Sequence, residues 1–301
     1  MKKLLLVAGL LLSTVVHAAT TMKTYGVTLT KDNTVVMNDE FDDQSVAKVA
    51  QKARTLDSKL ASKEPLYLVL NSPGGSISAG MELIQNLNNL NRPVHTITIF
   101  SASMGFQTVQ GVKGSRLMVP NGTLMSHKAR GSVSGEFPGQ LDQRYAYYLN
   151  VILGLDKIVV ARTGGVHTLK SYEALIENEF WCTVDGCVKN GLADGTVDVK
   201  CDASLSGTHE AVVAKGFIMG MALQLVGTFS DCPTTTSALD YDIIVNGQKM
   251  FSGTTSSLKS VDLSSMYLTT EQQVAIQKFI DKGVTDLSKT PNERKVEYYK
   301  K

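Results

Sequence analysis

Residues 66–80 read LYLVLNSPGGSISAG. Leu66 to Leu70 is an unbroken apolar run of strand length, and Asn71-Ser72-Pro73-Gly74-Gly75 stops it. Two adjacent glycines after a strand let backbone N–H groups face a bound group with no Cβ in the way. Residues 100–111 read FSASMGFQTVQG, where the apolar run His95 to Phe100 breaks into Ser101-Ala102-Ser103 and then Met104-Gly105. A small-residue turn between strand and helix exposes a serine hydroxyl at a helix N-terminus, where the dipole favours an oxyanion. Residues 119–131 read VPNGTLMSHKARG and put His127 at the end of a short apolar segment. A serine on a tight turn, a later histidine and a Gly-Gly turn are the parts of a serine hydrolase.

The flanking segments set these three pieces in a layered α/β fold. Tyr25 to Leu29 alternates as a strand, Asp32-Asn33 turns, and Thr34 to Met37 is a second strand, predicting a hairpin. Asp42-Asp43 opens a helix with Val46, Val49, Ala50, Ala53 and Leu56 at helical spacing. Ser76 to Leu90 is a helix, Val94 to Phe100 a strand, Met104 to Val112 a helix and Arg116 to Val119 a strand. The β-α-β-α-β order predicts a parallel sheet covered by helices, with Ser103 at a strand's carboxyl end, where such folds place their sites. Gln140 to Thr163 reads as a long helix with Leu141, Tyr145, Tyr148, Leu149, Ile152 and Ile158 available for packing. Beyond residue 204 a C-terminal extension is expected. His209 to Leu225 reads as an apolar helix. Asp242 to Val245 and Gln248 to Phe251 flank Asn246-Gly247, a hairpin signal. Thr270 to Lys282 reads as a helix with Thr270 and Gln273 as its capping box, and Pro291 to Lys301 as a disordered tail.

Composition bounds the compartment and the partners. The chain has 301 residues, 43% apolar and 19% charged, enough for an ordinary core. A net charge of +2 and the lack of a basic patch interleaved with aromatics make nucleic acid an unexpected partner. Lys2-Lys3, the apolar run Leu4 to Val16 and Val16-His17-Ala18 predict a cleavable signal peptide over residues 1–18 and a periplasmic or secreted protein. The run is shorter than the roughly 20 residues a membrane anchor needs. Cys182, Cys187, Cys201 and Cys232 then meet an oxidising compartment. Three disulfide pairings stay open, and irregular spacing disfavours a metal. No metal or other cofactor is expected.

The three central pieces resemble the Clp protease proteolytic subunit, within the wider Clp/crotonase-like superfamily. The matching residues are Ser72-Pro73-Gly74-Gly75, Ala102-Ser103-Met104-Gly105 and Pro120-Asn121 through Met125-Ser126-His127, in the same order and spacing. The resemblance covers roughly Gly26 to Lys200. It implies repeated β-β-α units with a parallel sheet covered by helices, spanning residues 19–204. It implies Ser103 as nucleophile, His127 as general base, and the amides of Gly74 and Met104 as the oxyanion hole. Gly191-Leu192-Ala193-Asp194 matches a further family motif, and the acid position set by that motif falls on Glu179 where the family carries aspartate. The arginine that commonly follows that acid and couples ring contacts to the site is here Phe180. The helix at 140–163 corresponds to the one through which family members join into double rings.

Three functions compete on these grounds. The first is an exported serine peptidase acting on peptides or unfolded polypeptides, assembled as a homo-oligomer and working without a cytosolic ATPase. The second is a signal-peptide-peptidase-like enzyme using a Ser–Lys dyad with Lys113 or Lys128. The third is an inactive Clp-fold module serving binding or assembly through its extension.

Overall fold

The computed structural model describes residues 22–59, 64–258, 261, 263 and 268–288. The segments expected as a signal peptide (residues 1–18) and as a disordered tail (residues 291–301) lie outside them. Eleven strands and eight α-helices follow in order: β1 (Thr24–Leu29), β2 (Thr34–Met37), α1 (Asp43–Lys59), β3 (Leu66–Ser72), α2 (Ile77–Asn88), β4 (Val94–Ala102), α3 (Met104–Gly111), β5 (Arg116–Ser126), α4 (Gly139–Arg162), α5 (Leu169–Leu175), β6 (Phe180–Thr183), α6 (Val184–Lys189), β7 (Gly195–Cys201), β8 (Thr208–Ile218), β9 (Met221–Ser230), β10 (Ala238–Val245), β11 (Gln248–Gly253), α7 (Thr255–Leu258) and α8 (Thr270–Ser288).

The first sheet has seven strands in the order β1-β7-β5-β4-β3-β2, with β6 pairing β5. All neighbours along that path are parallel, and β6 alone is antiparallel. This is the expected α/β architecture, a mostly parallel sheet flanked by helices. Helix α1 turns Val46, Val49, Ala50, Ala53 and Leu56 inward. They join Leu66, Leu68 and Leu70 of β3 and Leu83 and Leu87 of α2 in one core. Each Val or Leu among them, when fully buried, contributes roughly 1.5–3 kcal/mol. Val69, Ile97, Leu117 and Val197 line the opposite face.

The expected hairpin of residues 25–37 does not form. β1 pairs with β7 and β2 with β3, both parallel, so the two strands occupy opposite ends of the sheet order. Val27 and Leu29 of β1 share a core cluster with Val197 of β7, and Val35 and Met37 of β2 share one with Leu66, Leu68 and Leu70 of β3.

A second, four-stranded antiparallel sheet, β11-β10-β9-β8, makes up the C-terminal region and packs against α8. The helix expected over 209–225 is instead the β8–β9 hairpin. Met219 (φ 51°) and Gly220 (φ 82°) turn it in the left-handed region, as two-residue hairpin loops require. Asn246 and Gly247 repeat that geometry (φ 49° and 82°) between β10 and β11, as the sequence predicts. The capping box of α8 sits one residue earlier than expected. Thr269 Oγ1 accepts from the Gln272 N–H at 3.2 Å, and Gln272 Oε1 accepts from the Thr269 N–H at 2.9 Å. All four cysteines pair. Cys182–Cys187 ties β6 to α6, and Cys201–Cys232 ties the parallel sheet to the second sheet.

Arg116 at the start of β5 is buried (4% exposed) and forks onto Asp194 of the loop before β7. Its Nη2 and Nε reach Asp194 Oδ1 at 2.6 and 3.2 Å, its own N–H reaches Oδ2 at 2.7 Å, and Nη1 donates to Gln110 Oε1 and the Gly191 carbonyl at 2.8 Å each. Burial pushes the Asp194 carboxyl up. The Arg116 hydrogen bonds, with the Arg116 and Arg162 charges, outweigh it and hold the group below the usual aspartate value. The folded chain therefore binds fewer protons at Asp194 than the unfolded one. This stabilisation is complete above about pH 4 and is lost as the pH falls through the lowered value. Arg116→Met leaves the carboxylate half-buried without its main partner and is expected to cost about 3–5 kcal/mol in urea unfolding at pH 7. The double variant Arg116→Met/Asp194→Leu recovers much of the loss.

Candidate active site

Three chain crossings meet at the carboxyl ends of β3, β4 and β5. β4 ends at Ala102, and Ser103 takes φ 57°, ψ −118° before α3 begins. A left-handed φ on a residue with a Cβ is strained. The neighbours hold it: the Ser103 N–H donates to the Met125 carbonyl of β5 at 2.9 Å, and its carbonyl accepts from the Gln107 N–H at 3.1 Å. The bend aims the hydroxyl away from the strand. His127 follows directly on β5, and its Nε2 lies 2.8 Å from Ser103 Oγ. Its Nδ1 lies 2.6 Å from the Lys128 carbonyl. A carbonyl can only accept, so Nδ1 carries the proton and Nε2 presents its lone pair to the serine. This is the tautomer a general base needs.

The Gly-Gly turn closes the site from the side of β3. Gly74 (φ 97°) presses on Ser103 so closely that a Cβ there would stand 2.5 Å from the Ala102 carbonyl and 2.6 Å from the Ser103 Cβ. Its N–H donates to Ser72 Oγ at 3.2 Å, and that hydroxyl donates to the Asp39 carbonyl at 2.5 Å. The next amide, of Gly75 (φ 146°), lines the cleft, and no hydrogen bond within the described residues takes it. Met104 heads α3, so its N–H has no acceptor within the helix. The structure thus brings together Ser103, His127, Gly74 and Met104. On the glycine turn the unengaged donor is Gly75 rather than Gly74. Either glycine of the pair suits a strained donor position, so the sequence pattern does not separate the two.

Glu179 (φ 69°) precedes β6, which runs antiparallel to β5. Its carboxylate accepts from Arg130 Nη2 at 3.1 Å and from Trp181 Nε1 at 3.2 Å. The hydrogen bond on His127 Nδ1 goes to a main-chain carbonyl. Lys128 is ion-paired with Glu177. Lys113 lies past the far end of α3, a helix of eight residues that begins beside Ser103.

Ser103 and His127 open onto a cleft of about 880 Å³. Its wall away from the glycines comes from α4 and α5 and includes Ile152, Leu155, Asp156, Glu173 and Ile176. Asp156 is an acid within the inward stripe of α4, between Leu155 and Val159, and is 8% exposed. The sequence signal for it is that polar interruption of an apolar stripe, an aspartate between Leu155 and Val159. Burial first, and then the Glu173 charge, push its carboxyl up to about 6. Over the range between the ordinary aspartate value and that raised one, the folded chain keeps a proton the unfolded chain has lost. Stability therefore falls as the pH rises through this range and stays lowered above it. Asp156→Asn removes the charge at constant shape. It is expected to stabilise the fold by on the order of 2 kcal/mol at pH 8, read as a higher Tm, and to give no gain at pH 4.

The Clp protease family profile matches residues 17–200, well over half of the chain. Among curated relatives, the ATP-dependent Clp protease proteolytic subunit 1 of Bacillus cereus is 28% identical over 174 residues, 57% of this chain and 88% of that protein. The ATP-dependent Clp protease proteolytic subunit of Streptococcus suis is 29% identical over 174 residues, 56% of this chain and 87% of its own length. That of Streptococcus pyogenes is 30% identical over 170 residues, 55% and 85% of the two chains. With the strand–serine–helix turn and its histidine in matching order, the chain belongs to the Clp protease family.

Proposed function

We propose that this protein is an exported serine peptidase in which Ser103 attacks the peptide carbonyl. The observation that carries this reading is the 2.8 Å contact between Ser103 Oγ and His127 Nε2, with Nδ1 fixed as a donor. His127 takes the serine proton as the tetrahedral adduct forms. The N–H groups of Met104 and Gly75 donate to the carbonyl oxygen as it gains negative charge, in place of the Met104 and Gly74 pair implied by the family resemblance. His127 then protonates the departing amine and activates the water that releases the acyl group. The Lys128 carbonyl orients the ring in the place usually held by a carboxylate. The Glu179 carboxylate holds Arg130 at the rim. The Ser–Lys reading is disfavoured, because Lys128 is committed to Glu177 and Lys113 sits at the other end of α3. An inactive module has no use for a strained serine held against a base.

Export is supported by the N-terminal pattern and by the pairing of all four cysteines, none of them free among the described residues. Disulfides persist in oxidising compartments, where no ATP supply drives an unfolding partner. Peptides or already unfolded chains are the substrates that remain. Self-assembly is supported by α4. Of its expected packing face, Tyr145, Tyr148, Leu149 and Ile158 are all exposed, and the residues that the helix does bury, Leu155, Asp156 and Val159, lie outside that face. An aromatic face left open along a 24-residue helix suits packing against copies of itself.

Purified protein lacking residues 1–18 is expected to react with a fluorophosphonate and to cleave unstructured peptides without ATP. Ser103→Ala abolishes both, and His127→Ala lowers both by about 10³ or more. Equal labelling of wild type and Ser103→Ala sinks the peptidase reading. In sedimentation, wild type runs as an oligomer, and Tyr145→Glu/Tyr148→Glu shifts it to smaller species.

A further inference from the structure

The α4–α5 wall of the cleft carries acceptors that the chain itself leaves unmet. No hydrogen bond or ion pair within the described residues reaches the carboxylate of Asp156, although the residue is more than nine-tenths buried. Gln107, on the first turns of α3 after the nucleophile, lines the same cleft, and its Oε1 is buried with no partner. Glu173 adds a second carboxylate from α5, near enough to raise Asp156. Buried acceptors without donors are costly and rare. One such acceptor beside the unpaired carboxylate of the largely buried Asp156, with the exposed Glu173 carboxylate next to them, points to a ligand that brings donors.

The cations lining the cleft do not supply them. Lys128 is taken by Glu177 and Arg130 by Glu179. Lys170 remains, against Asp156, Glu173 and Glu40, so the balance in the cleft is acidic. Ile152, Leu155 and Ile176 give the same region apolar walls. Apolar walls beside a largely buried carboxylate fit a long aliphatic stem with a cationic head.

We propose that this end of the cleft receives a lysine or arginine side chain of the peptide being cut, with Asp156 as the main partner and Glu173 and Gln107 Oε1 completing its hydrogen bonds. The inference rests on the peptidase reading and specifies its substrate class. It also gives the buried charge of Asp156 a role that offsets its effect on stability: the substrate cation is the missing counter-ion. Discrimination here is strong because a neutral side chain leaves the buried acceptors unpaired.

The test uses two peptidyl diphenyl phosphonates that differ only at the side chain next to the phosphorus, aminobutyl (lysine-like) or butyl (norleucine-like). Labelling rates of the protein lacking residues 1–18 are compared at pH 8, with a small fluorophosphonate as a measure of Ser103 reactivity. The lysine-like probe is expected to label roughly tenfold or more faster than its neutral twin. The ratio of the two rates falls toward one in Asp156→Asn and falls by a smaller factor in Glu173→Gln. Equal rates in the wild type, or a faster butyl probe, overturn the cationic pocket while fluorophosphonate labelling keeps the peptidase standing. A ratio unmoved by both substitutions overturns the assignment to these residues. No labelling by any of the three probes removes the peptidase reading and this inference with it.

Discussion

The site depends on the register between β4 and β5. Ala102 pairs with Met125, and the Ser103 amide is bonded to the Met125 carbonyl. Ser103 is then the first residue past one strand, and His127 stands two past Met125 on the other. In a strand, two residues return to the same face, so the imidazole arrives on the side to which the bend at Ser103 turns its hydroxyl. The register is not continuous. Thr98 pairs with Met118 and Phe100 with Thr123, so β5 accommodates Val119 to Gly122 where β4 has only Ile99. Gly122 is needed for that detour, since a Cβ would lie 2.7 Å from the Thr98 carbonyl. A slip of one residue on either side would send the histidine to the opposite face.

Holding that register is the work of groups distant from the serine. β5 lies between β4 and β7 in the sheet order and also pairs β6. Its start is pinned by Arg116 to Asp194 and to the Gly191 carbonyl. Its end is covered by β6, whose Cys182 is bridged to Cys187 of α6. Trp181 of β6 stacks on Phe100 of β4 at 6.3 Å, so the strand bearing the histidine is braced from both neighbours. The same loop that carries Glu179 thereby positions β5 mechanically, whatever electrostatic part the carboxylate takes.

The meeting of Ser103 with His127 and the parallel sheet were legible because each was written locally: a small-residue break after an apolar run, a histidine after a short strand, glycines after another. Partners set by long-range pairing were not. β1 and β2 read as a hairpin because a turn joins them, yet each finds its neighbour far along the chain. His209 to Leu225 read as a helix because Ala, Met and Leu crowd it, while most of β8 is exposed and shows no clean alternation. Gly216 and Gly220 within that run carried the strand signal, and Gly220 makes the turn. The choice between Gly74 and Gly75 was beyond the sequence, because it turns on which amide the Ser72 hydroxyl captures.

Departures from local comfort concentrate at one end of the sheet. Ser103 is strained in φ. Asn71 Oδ1, Thr98 Oγ1, Ser101 Oγ and Gln107 Oε1 are buried without partners, and all belong to β3, β4 or α3. Asp156 faces the same cleft as an acid with no cation. The fork of Arg116 on Asp194, by contrast, has five hydrogen bonds around it. A fold able to neutralise one buried aspartate so thoroughly is under no general constraint to leave another bare. The difference is position. Asp194 lies in the framework that sets the register, where an unpaired charge would loosen it. Asp156 lies where a substrate arrives, where a charge already paired within the chain would have nothing left to offer.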